Sequence, residues 1–67
     1  MRGLIAEKIR EARKSKGITQ AELSKKINMH RNSIVNFEAG RRNPRVKDLI
    51  KIAKALSVPV EQLVSDM

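Results

Sequence analysis

The chain has 67 residues, with 15 Lys and Arg against 7 Asp and Glu, a formal net charge of +8. It contains no Cys, one His (His30), and Phe37 as its one aromatic residue. Disulfides and Cys-based metal sites are thereby excluded, and modules that stack nucleobases on aromatic platforms are disfavoured.

A chain this short makes one small domain, read here as residues 1–67, for which a helical bundle with narrow apolar stripes is the economical solution. No apolar run approaches a membrane span and no signal-peptide hydrophobic stretch is visible. A cytoplasmic location is therefore expected, with no membrane partner. The positive charge points to a polyanion.

The first helix is read over Gly3 to Lys16, where Leu4, Ile5, Ile9 and Ala12 recur at helical spacing. Gly17 follows as a left-handed C-cap candidate. Thr19 and Glu22 have the spacing of a capping box at the start of a second helix, and Ile18 can pack on Leu23 as a hydrophobic staple. That helix should end near Ile27. Asn28, one of the few side chains that tolerate positive φ, marks the turn.

The third helix should run from about Arg31 to Ala39 and stop at Gly40. Arg41-Arg42-Asn43-Pro44 then makes a basic loop. Val46, Leu49, Ile50, Ala53 and Leu56 mark a fourth helix, Ser57-Val58-Pro59 breaks it, and Val60 to Val64 makes a short fifth. The predicted fold is all-α, five helices around one core.

Residues 19–40 are the informative part: two short amphipathic helices meet at a tight turn, the arrangement of a helix-turn-helix. Leu23, Ile27, Met29, Ile34 and Phe37 are its apolar anchors. The outward row of the third helix is His30, Arg31, Asn32, Ser33 and Asn36, hydrogen-bonding groups with little reason to be there for stability. Asn is a poor helix former, yet Asn32 and Asn36 share one face at a spacing of four residues. Asn can pair bidentately with adenine, and Arg with guanine, in the major groove. Arg31, Asn32 and Asn36 are therefore the base-reading candidates.

Around them lie the candidates for phosphate. Arg41, Arg42, Arg45 and Lys47 follow the recognition helix, opposed there by Asp48 alone. Ser33 suits donation to a phosphate, and His30 suits a phosphate contact or an exposed helix start. Lys51 and Lys54 are read as solvated. One His without Cys or clustered carboxylates makes no metal site, and nothing implies a cofactor or a small-molecule ligand. There is no Ser/His/acid set or phosphate-cradling glycine loop, so an enzyme is not expected.

The stretches Gly17-Ile18-Thr19-Gln20-Ala21-Glu22-Leu23, Ser33-Ile34-Val35-Asn36-Phe37-Glu38-Ala39-Gly40, Arg42-Asn43-Pro44 and Leu49-Ile50-Lys51-Ile52-Ala53-Lys54-Ala55-Leu56 together resemble the lambda-repressor/Cro (Xre-like) helix-turn-helix family. The resemblance covers about Ile5 to Val64. It implies a compact lambda-repressor-like domain that binds double-stranded DNA as a dimer on operator half-sites and regulates transcription. It implies that Gln20 contacts a phosphate or braces the recognition helix. It also supplies Arg13 as an ion-pair partner for Glu38, whose charge near a helix C-terminus is otherwise unfavourable.

Four positions depart from the family pattern. Asn28 stands at the turn where Gly is common, His30 where Ser or Thr caps the recognition helix, Arg45 where a small polar residue caps the fourth helix, and Ser57 where Gly often closes it. At the C-terminus, Val58, Val60, Val64 and Met67 exceed what one short helix can bury and form the candidate dimer patch. The sequence reading is a small, repressor-like regulator. The alternative is an antitoxin-like or adaptor subunit whose main partner is another protein.

Overall fold

A computed structural model of the chain describes residues 4–64. Over that span it forms α1 (Leu4–Ser15), α2 (Gln20–Lys26), α3 (Arg31–Ala39), α4 (Val46–Leu56) and α5 (Val60–Val64), with no strand among the described residues. This is the five-helix, all-α fold expected. Met67 of the dimer patch and the side chain of Leu4 lie outside the described residues.

Each helix begins and ends where local chemistry dictates. Thr19 caps α2: its Oγ1 accepts from the Glu22 N–H at 3.0 Å, and the Glu22 carboxylate accepts from the Thr19 N–H at 2.8 Å. Such a reciprocal box satisfies two of the N–H groups that a helix start leaves without partners. Ile18, half-buried, packs against the core cluster that contains Leu23. Asn28, at φ 57°, turns the chain between α2 and α3, and its neighbour Met29 donates its N–H to the Ser24 carbonyl at 2.9 Å. Gly40 closes α3 at φ 77°, a conformation that costs a side chain 1–2 kcal/mol, roughly, and glycine nothing.

The starts of α3 and α4 differ from that of α2. His30 makes no capping hydrogen bond through its side chain. Arg45 has no acceptor to offer, so α4 has half of a box: the buried Asp48 reaches back to accept from the Arg45 N–H at 3.3 Å. Ser57 ends α4 at φ 57°, in the left-handed region usually left to Gly or Asn.

Ile9, Ala12, Leu23, Ile27, Ile34, Phe37, Leu49, Ile52, Ala53, Leu56 and Leu63 form one continuous core, with at least one residue from every helix or its cap. α2 packs on α3, α1 packs on α3 and α5, and α4 closes against α5 and α2. Two stripe assignments change. On α1, Ala6 joins Ile9 and Ala12 inside while Ile5 is half-buried. On α4, Val46 is 72% exposed and Ile50 is 40% exposed, whereas Ile52 is wholly buried. The buried positions Leu49, Ile52, Ala53 and Leu56 follow the i, i+3, i+4, i+7 rule. Ile50 lies about 100° round the helix from Leu49, and Val46, the first helical residue, projects past the bundle.

Candidate nucleic-acid interface

α3 has two unlike faces. Its inner side buries Ile34, Phe37 and Glu38. Glu38, though charged, is among the most enclosed side chains, 3% exposed. Arg13 of α1 meets it with a fork: Nε donates to Oε2 at 2.7 Å and Nη2 donates to Oε1 at 2.9 Å. The third guanidinium nitrogen, Nη1, donates to the Ile18 carbonyl at 2.8 Å. Gln20 of α2 completes the cluster by donating from Nε2 to Glu38 Oε1 at 3.2 Å. Three helices are thus tied at one carboxylate, with charge and hydrogen-bonding capacity matched.

The hydrogen bond to Glu38, reinforced by its charge and opposed by burial, holds the Arg13 guanidinium above its ordinary pKa. Arg13 is charged at any accessible pH. Gln20 therefore has a bracing contact in the structure, which leaves the position of the recognition helix fixed from both α1 and α2.

The outer side of α3 carries the residues singled out for bases. Arg31 and Asn32 are exposed on its first turn, while Ser33 and Asn36 are half-buried along the same side. With His30 and Arg42 they line one open concavity, so six candidates from the cap, the helix and the following loop share a surface. Arg41, Arg45 and Lys47 are exposed but lie outside that lining.

Arg42 has a further contact that no pattern in the sequence signals. Its guanidinium carbon sits 5.5 Å from the centroid of the Phe37 ring, a cation–π arrangement worth about 0.5–1 kcal/mol at an exposed site. The loop after α3 thus returns a cation to the ring of that helix. Sequence reasoning also missed the cap that Asp48 gives Arg45. A carboxylate three residues into α4 was its signal.

In the dimer patch, Val58, Val60 and Val64 are half-buried and packed against the core, with the remainder of each facing outward. No group of His and carboxylates among the described residues is arranged to hold a metal ion. No helix among them is long and apolar enough to cross a membrane.

Two helices crossing at a tight turn, the second bearing a polar outward row above a buried tether, define a helix-turn-helix protein. The comparisons agree. A helix-turn-helix family model matches residues 9–63. An HTH-type transcriptional regulator of Archaeoglobus fulgidus is 41% identical over 56 residues, 84% of this chain and 80% of that one. The cryptic phage CTXphi transcriptional repressor RstR of Vibrio cholerae is 32% identical over 63 residues, 94% of this chain and 57% of that longer one. Among solved structures, the restriction-modification controller protein C.AhdI from Aeromonas hydrophila superposes with a TM-score of 0.86 at 28% identity, covering 90% of this chain and 91% of its own. The chain belongs to the helix-turn-helix family, in its Cro/C1-type, Xre-like branch.

Proposed function

We propose that this chain is a non-enzymatic, cytoplasmic transcriptional regulator that binds double-stranded DNA through the major groove as one domain, and represses as a homodimer. The single observation that carries the reading is the outward side of α3, where Arg31, Asn32, Ser33 and Asn36 share a concavity with His30 and Arg42. Asn32 and Asn36 are poor helix formers with no stability rationale on an outward face, and the amide and guanidinium groups there match the donors and acceptors of base edges. Arg31, Asn32 and Asn36 take the bases. Arg41, Arg42, Arg45 and Lys47 take the phosphates, with His30 and Ser33 at the margin of the groove and Gln20 at the near end of α2.

Repression follows from occupancy, since a bound dimer blocks polymerase, and one of the similar proteins is named as a repressor. The partly exposed Val58, Val60 and Val64, with Met67, supply a self-complementary patch for two-fold pairing. Such a dimer sets half-sites about 34 Å apart, one turn of the duplex.

Selection from a randomised duplex library at near-physiological salt is the test. An enriched inverted repeat is the expected outcome, and uniform recovery would sink the reading. On the selected site, Asn36→Ala should cost about 1–3 kcal/mol of discrimination while random duplex binding holds. Equal losses on both would remove Asn36 from the base-reading set.

A further inference from the structure

A second recess lies where the end of α2 meets α4. Lys26 from α2 and Lys51 and Lys54 from α4 line it, and the carbon of Ile27 and Ala55 contributes to its wall. It shares no lining residue with the concavity on α3.

Three lysines border the recess without a carboxylate in the lining. The acids nearest along the two helices are already engaged. Asp48 is buried and accepts from the Arg45 N–H, and Glu22 is tied to Thr19 while exerting a Coulombic pull on Lys26. Helix dipoles explain a lysine in the last turn, as for Lys26 and Lys54. They do not explain Lys51, which stands in the middle of α4.

We propose that this recess is a docking site for an acidic peptide segment of a partner protein, one that alternates carboxylates with apolar side chains. Charge complementarity selects the occupant. Carboxylates would meet Lys26, Lys51 and Lys54, and an apolar side chain would cover the Ile27–Ala55 wall. A second copy fits poorly, because a two-fold contact sets each patch against itself and the lysines would face lysines. A phosphate backbone would satisfy the ammonium groups but leave the Ile27–Ala55 wall uncovered.

The probe is a short fluorescein-labelled peptide alternating Glu and Leu, titrated by anisotropy into the full chain. Binding is expected, weakened about tenfold or more in a Lys51→Glu/Lys54→Glu variant, the scale of reversing close interfacial charges. A Lys14→Glu/Lys16→Glu variant, at exposed positions in the last turn of α1 and just beyond it, removes the same net charge and should bind like the parent. Circular dichroism on both variants confirms that the helices persist. Binding should also survive saturation with random-sequence duplex DNA at low salt. Absence of peptide binding, equal losses in the two variants, or displacement by duplex would each overturn the proposal. The peptide arms stand whether or not the DNA reading holds.

Discussion

α2 and α3 are the two halves of one motif, and they are held by opposite means. α2 has its own start and stop: a complete capping box at Thr19 and Glu22, and a turn at Asn28. α3 begins at His30 with no side-chain cap. Gly40 stops it locally, but the rest of its restraint comes from outside, by burial of Ile34 and Phe37 and by the carboxylate of Glu38 in the fork of Arg13. Such a division leaves the first turn of the helix that faces outward free of intramolecular capping, and places its restraint on the side turned away. A local device stabilises α2, and a tertiary one fixes the placement of α3.

Removing the tertiary device should have the largest effect. Glu38→Ala is expected to lower stability by about 3–5 kcal/mol, because Arg13 is left buried and unpaired. Chemical denaturation measures it, and a loss below about 1 kcal/mol would mean that the pair behaves as a solvent-screened surface contact. Replacing both partners by Leu should recover most of the loss, since the orphaned charge goes with its partner.

Removing the local device should cost less. Thr19→Ala is expected to lose about 1 kcal/mol, the usual worth of an N-cap. His30→Ser asks the converse question at α3 and should raise stability by about 0.5–1 kcal/mol, provided the new hydroxyl reaches the N–H it would cap. Thermal melts of the two variants side by side would sharpen the contrast. A stabilising Thr19→Ala or a strongly destabilising His30→Ser would reverse it.

The smallest effect is a pH dependence. The N–H of Thr19 donates to the exposed Glu22 carboxylate, and this, with the Thr19 side chain, holds its pKa below the ordinary value. A carboxyl depressed in the folded state contributes stability above its unfolded pKa and loses it as pH falls through the folded one. Stability should therefore drop slightly in the acid range below the usual carboxylate pKa. A Glu22→Gln variant should show a flatter acid limb in melts taken across pH, and an unchanged limb would detach Glu22 from the cap.

The element boundaries were legible because they rest on neighbours in the chain. Thr19 with Glu22, Asn28 and Gly40 each act within a few residues, and each stands in the structure where the sequence places it. The apolar face of α4 was legible only in part. Periodicity says that one side is buried, yet Val46, Ile50 and Ile52 are equally apolar, and which of them goes inside depends on where α2 and α5 lie. The candidate site divides in the same way. Its polar row on α3 follows from spacing, whereas the position of Arg42 over Phe37 needs the loop to fold back on the helix.

By itself, then, the sequence determined five helices, the capping box of α2, the turns at Asn28 and Gly40, and a polar row on the third helix, since hydrogen bonds and helical periodicity act over a few residues. Tertiary structure decided that Gln20 meets the same carboxylate as Arg13, that Asp48 turns inward to cap α4, and that Lys26 joins Lys51 and Lys54 at one recess. Apart from the Asp48 cap, these contacts join groups at least eighteen residues apart, as Gln20 and Glu38 are. Asp48 is close in sequence to Arg45, but its burial is set by the packing of α4 against its neighbours. The angle at which one helix crosses another sets such contacts, and that angle comes from how whole side chains fill a shared core.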